Sequence, residues 1–184
     1  MHTDRWNSSE FVIELPQLEF NPETFLEQMQ GIELKDYVSA YGKPTGLQVS
    51  YAPELIQTQI VKHYLDIFKD FKIPIGDIEN NHAHGQGLYG WSYIKTKANA
   101  PLQRHTDAVR EASITFPLTF PQELNFFSSK ESTEKLVYEY TPVIVIINAK
   151  HKWHSVDPSN EPRLQFQLDC FNPWDEIKEL VKAL

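Results

Sequence analysis

The sequence predicts a mainly β domain, a sandwich or barrel with flanking helices. Three observations point there. Past Gly76, segments rich in aromatic and β-branched residues recur at 88–96, 111–120, 135–139, 143–148 and 162–171, each bounded by Pro, Asn, Gly or Ser. Two of them alternate with the period of a strand. The length of 184 residues, 41% hydrophobic and 12% aromatic, suits one domain able to bury its own core.

Taken in order, residues 11–20 (FVIELPQLEF) read as an extended segment interrupted by Pro16. Asn21-Pro22-Glu23 is a helix start: Asn suits the cap, Pro the first helical position, and Glu the positive end of the dipole. That helix is expected to run to about Gln30, with Gly31 ending it. A second helix is expected over about Pro53 to Phe71, where Leu55, Ile56, Ile60, Tyr64, Leu65 and Phe68 form one apolar face. The first half therefore reads as helical and the second as strand-rich. Asn172-Pro173 opens a short final helix with a stripe of Ile177, Leu180, Val181 and Leu184. The expected organisation is one domain over 1–184: an N-terminal strand and packing helices (1–75), a β core (76–172) and a C-terminal helix (173–184).

The alternating strands carry a choice. Ala112, Ile114, Phe116 and Leu118 share one face, with Ser113 and Thr115 on the other. Leu164, Phe166 and Leu168 oppose Arg163, Gln165 and Gln167. The polar faces are either solvated, as is common for antiparallel sheets, or they line the lumen of a barrel. The residues that follow favour a lumen.

Composition narrows the function. A net charge of −8 argues against a nucleic-acid partner, since phosphate binding wants a basic field. The one cysteine, Cys170, excludes an internal disulfide framework and a four-cysteine zinc site, and it reads as a small buried residue with no base beside it. No apolar signal core opens the chain, and the longest apolar run, Val143 to Ile147, is far too short to span a bilayer. A soluble, cytoplasmic protein is the expectation.

The chemistry gathers at three places. In His105-Thr106-Asp107 an extended backbone projects the imidazole and the carboxylate to one side. His154 follows the buried-looking strand Val143–Asn148, in an expected loop. Two histidines and a carboxylate on one face of a metal leave positions open, a set that suits Fe(II). An H-x-D tripeptide alone is a weak signal; the conjunction with His154 and Arg163 is far stronger. Arg163 lies nine residues past His154 in the last strand, and its planar fork matches a carboxylate.

This order of H-x-D, distal His and Arg resembles the Fe(II)/2-oxoglutarate-dependent dioxygenase superfamily, particularly its aspartyl/asparaginyl and proline hydroxylase-like branches. The segments PLQRHTDAVREASITFPL and VIVIINAKHKWHSVDPSNEPRLQFQLDCF carry the likeness, which covers about Leu88 to Phe171. It implies a double-stranded β-helix, or jelly roll, of cupin-like form. It implies Fe(II) held by His105, Asp107 and His154, with dioxygen as oxidant and 2-oxoglutarate as co-substrate bound through Arg163. The implied reaction hydroxylates an amino acid, peptide side chain or similar small molecule and releases succinate and CO2. Gln165 stands where many members carry a serine.

Other residues are weighed against plainer roles. His151 is a second candidate for the distal ligand, with His154 preferred for its interval to Arg163. His82 and His84 fall in NNHAHGQG, read as a mobile loop. Trp91 and Tyr93 share a strand face. They pack in the core by default, but if that face is the lumen, Tyr93 hydrogen-bonds 2-oxoglutarate. Arg104 and Arg110 are solvated charges or binders of a substrate carboxylate. Two other classes stay open: a cupin-like metalloprotein that does not use 2-oxoglutarate, and a non-catalytic jelly-roll binding module.

Overall fold

The computed structural model describes residues 10–38, 42–73, 75, 90–107 and 110–184. His82, His84 and the first residues of the 88–96 segment lie outside them.

Strand β1 (Val12–Glu14) stops short of Pro16. Helix α1 (Pro22–Gln28) begins as expected: the Asn21 side chain accepts from the amides of Glu23 and Thr24 at 2.9 and 3.1 Å. Past its end, Gly31 takes φ +83°, a conformation open to glycine. The long second helix is two helices, α2 (Pro53–Gln57) and α3 (Gln59–Asp70). Thr58 between them is extended. Its hydroxyl donates to the Leu55 carbonyl and accepts from the Val61 amide, so it closes one helix and opens the next. Leu55, Ile56, Val61, Tyr64 and Phe68 are buried across both.

The first half is less helical than expected, because it also holds a hairpin of β2 (Lys35–Val38) and β3 (Pro44–Ser50). Every residue of β2 is exposed, so no apolar alternation marks it. Beyond it come β4 (Trp91–Thr96), β5 (Leu102–His105), β6 (Ala112–Pro117), β7 (Glu123–Phe127), β8 (Leu136–Glu139), β9 (Val145–Ile147), β10 (Trp153–Val156) and β11 (Arg163–Cys170). The chain closes with α4 (Trp174–Val181), which buries Trp174, Ile177 and Val181.

Two antiparallel sheets result. The larger runs β1-β9-β6-β11-β4-β3-β2 and the smaller β5-β10-β7-β8. Their facing surfaces meet in an apolar cluster of Val12, Val145 and Ile147 against Leu124, Phe126, Tyr138 and Tyr140. This is a jelly-roll sandwich. The other face of the larger sheet carries the helices over the main core. There Phe116 packs against Phe25, Tyr64 and Phe166 with ring centroids 5.0–5.7 Å apart. No helix among the described residues is long and apolar enough to cross a membrane.

The centre of the larger sheet is buried on both faces. Ala112, Ile114, Phe116, Phe166 and Leu168 face the helices, while Ser113, Thr115, Gln167 and Asp169, equally buried, face the smaller sheet. The polar faces of β6 and β11 therefore line a lumen and are not solvated. Truncation of Phe116 should leave a cavity at the helix–sheet contact. Phe116→Ala is expected to lower unfolding free energy by about 3–5 kcal/mol, read from the denaturant midpoint at unchanged slope.

Candidate metal and anion site

One end of the lumen gathers the expected metal-ligating set. β5 and β10 pair so that His105 lies directly across from His154, with ring centroids 4.3 Å apart. His154 is thus in a strand and not in the expected loop; its ladder partner on the other side is Phe126 of β7. Asp107 lies beyond the end of β5, and its amide donates to the Ala149 carbonyl at 3.0 Å, which draws it back to the two rings. One ligand atom from each of His105, Asp107 and His154 falls within 4.8 Å of the others.

The donor set suits a divalent metal in its hydrogen bonding too. Nδ1 of His105 lies 2.7 Å from the Gln103 carbonyl, and Nδ1 of His154 lies 2.9 Å from that of Lys152. A carbonyl only accepts, so each Nδ1 carries a proton, and Nε2 is the nitrogen of each ring turned to the cluster. Burial and the neighbouring His105 push His154 down to about 4 against the pull of Asp107, so its ring is neutral near pH 7. Burial alone would raise the Asp107 carboxyl, but the Arg110 guanidinium and the contact with His105 hold it well below the usual range. At neutral pH His154 is a neutral imidazole and Asp107 a carboxylate.

Arg110 is engaged within the site. Its Nε donates to Asp107 Oδ2 at 2.5 Å, and its Nη1 donates to Asp169 Oδ1 at 2.7 Å and Gln167 Oε1 at 2.9 Å. Its pKa is held above its ordinary value, because the two carboxylates outweigh burial. Arg104 is engaged elsewhere: it lies 3.4 Å over the Phe127 ring and donates to the carbonyls of Lys130 and Ser132. His151 binds Glu111 Oε2 at 2.8 Å and stands apart from the cluster.

The cavity at the cluster has a volume of about 920 Å³ and extends along the lumen to Arg163. Arg163 is 5% exposed and donates to the carbonyls of Asp157 at 2.9 Å and Ala100 at 3.2 Å. Among the described residues no carboxylate reaches ion-pair distance of it. Burial lowers its pKa, partly offset by Tyr140 and Asp157. Gly46 permits the close approach behind it: a Cβ there would stand 2.5 Å from that of Ala100.

Tyr93 is on the other face. At 6% exposure it sits with Trp91 in the helix-covered core, as β4 alternation requires, and it does not line the cavity. The hydroxyl near Arg163 is that of Tyr140, which sequence reasoning missed. Burial keeps this phenol protonated by raising its pKa, against the opposing influence of Gln165 and Arg163. Also missed was a line of amides: Gln167 Nε2 donates to Gln165 Oε1 at 3.3 Å, and Gln165 Nε2 donates to Gln122 Oε1 at 2.8 Å. Gln122 Nε2 then donates to the carbonyls of Thr119 and Leu164. The period-two polar face was the available signal for Gln165 and Gln167.

Comparison with known proteins adds the fold. No protein-family model and no curated protein sequence matches the chain. Solved structures do. A prolyl-4-hydroxylase from Pseudomonas putida is 15% identical, with TM-score 0.53 over 82% of this chain and 83% of its own. The chain has the oxygenase fold. A Trichoplax adhaerens prolyl hydroxylase, solved with a hypoxia inducible factor peptide fragment, is 15% identical, with TM-score 0.59 over 98% of this chain and 90% of its own. A Burkholderia pseudomallei oxidoreductase of the 2OG-Fe(II) oxygenase family is 13% identical, with TM-score 0.52 over 86% and 84%.

The Asp107 carboxyl gives a pH test in the metal-free protein. Its folded pKa is depressed below the unfolded value of about 3.9, so its stabilisation is full above that pH and is lost as pH falls through the folded value. Denaturant stability should therefore decline below pH about 4, and less steeply in Asp107→Asn. Equal slopes in the two proteins would refute this account of the ion pair.

Proposed function

We propose that this protein is an Fe(II)- and 2-oxoglutarate-dependent dioxygenase. It hydroxylates an amino acid, a peptide side chain or a similar small molecule, with release of succinate and CO2. The observation that carries this reading is one cavity with two complementary ends: ligand atoms of His105, Asp107 and His154 within 4.8 Å, and the buried Arg163, which no carboxylate of the described residues reaches at ion-pair distance. The oxygenase fold of the solved neighbours supports it, as does the peptide bound to one of them.

In this reading His105, Asp107 and His154 would hold iron, a donor set few enough to leave room for a co-substrate. Bound there, iron and 2-oxoglutarate would bring dioxygen to reaction, one of its oxygen atoms going to succinate, with loss of CO2, and the other to the substrate C–H. The chain's own residues supply position and shelter. Arg163 offers its remaining donors to the distal carboxylate, and the protonated Tyr140 hydroxyl stands beside it. Ile94, Leu124, Ile147 and Val156 give the lumen apolar walls that keep water from the reacting centre. The carbonyls of Gln103 and Lys152 lock both imidazoles in the tautomer that presents Nε2.

The test is an anaerobic titration of 2-oxoglutarate into the Fe(II)-loaded protein, followed by the visible charge-transfer band of the chelate. Wild type should show the band, and His105→Ala and His154→Ala should lose it. Arg163→Met should keep iron but weaken co-substrate binding about 10- to 100-fold, as expected for loss of a charge-assisted contact of 1.5–3 kcal/mol. Bound iron without a band would favour a metalloprotein that does not use 2-oxoglutarate. Absence of iron binding would sink the metal reading altogether.

A further inference from the structure

We propose that Arg110 is a positioning residue that presents Asp107 to the metal through a single oxygen. This rests on the metal-site reading above. A carboxylate can bind a cation through one oxygen or chelate it with both, and chelation would fill one of the positions that a co-substrate and dioxygen need. The two oxygens of Asp107 have separate partners here. Oδ1 turns toward the cluster, 3.5 Å from His105 Nε2, whereas Oδ2 accepts from Arg110 Nε at 2.5 Å.

Arg110 is itself anchored. Its Nη1 reaches two residues of β11, Asp169 at 2.7 Å and Gln167 at 2.9 Å. Asp169 is fixed in turn by its amide, which donates to the Gly90 carbonyl at 2.9 Å, and Gln167 by its donation to Gln165. The guanidinium therefore spans from the loop-borne carboxylate to the central strand of the larger sheet. Its fork is used at both ends, which a lysine ammonium on a flexible stem does not reproduce. Asp107 lies outside the strand ladder, so without this clamp its backbone bond to Ala149 and the contact of Oδ1 with His105 leave Oδ2 free to turn toward the metal.

The experiment counts inner-sphere waters on Mn(II) bound to the full chain without co-substrate, by water-proton relaxation. With one oxygen from Asp107 and two imidazoles, octahedral Mn(II) in wild type keeps about three waters. Arg110→Gln should keep about two, because the released carboxylate chelates. Arg110→Lys, which preserves the charge but not the fork, should fall between these values and serves if the Gln variant folds poorly. Wild-type hydration in both Arg110 variants overturns the inference and leaves the proposed function standing. Wild type that binds no Mn(II) overturns both.

Discussion

The rest of the molecule depends on the burial of β6 and β11 on both faces. Strand alternation sends every second side chain to the helices and the others to the smaller sheet. Because the helix side is filled by Phe116, Phe166, Ile114 and Leu168, the sequence must put something compatible with burial on the other side. It puts serine, threonine, glutamine, aspartate and arginine there. Such groups survive away from water only when their donors and acceptors are matched. Ser113 bonds Thr115, the glutamines bond one another in line, and the amide chain ends on backbone carbonyls. The lumen is thereby a rigid polar surface, set by the same two strands that organise the apolar core.

Charge is handled differently at the two ends of that lumen. Arg110 sits between two carboxylates and is stabilised in its charged form. Arg163 has only carbonyls for direct partners, and burial works against its charge. A buried cation without a counter-anion is costly, and a protein retains one where an anion is to be received. The contrast separates the two arginines more sharply than exposure does, since both are shielded. Arg110 spends its Nε and Nη1 on neighbours of the same chain.

Much of this was legible in the sequence, for particular reasons. The Asn21 cap, the Gly31 stop, the alternation in β6 and β11 and the stripe of α4 each rest on a local rule. The helix break at Thr58 escaped because the apolar stripe continues through it, while a single threonine serves as cap for both helices. The β2–β3 hairpin escaped because exposed strands need no alternation. β10 escaped because its inward position, His154, is polar, so functional chemistry erased the hydrophobic signal of the strand that carries it. Tyr93 and Tyr140 were a question of which face is which, and that is fixed by pairing. The partners of Arg110 lie 57 and 59 residues away, beyond the reach of any spacing rule.

The three clustered residues are held by unequal means. His105 and His154 are fixed by the β5–β10 ladder, which sets their separation to the pitch of a sheet, and their rings are fixed by carbonyls two residues back on the same strands. Asp107 has no ladder. It lies between β5 and β6, and a residue in a connection is ordinarily among the most mobile. Its precision comes from tethers: one backbone bond to Ala149 and one charged bond to Arg110, which is braced on β11, a strand paired on both sides. The cluster is thus as ordered as the weaker of two systems, a hydrogen-bonded ladder and a buried ion-pair network. The second gains its strength from the low-dielectric lumen that the two-sided burial of β11 creates.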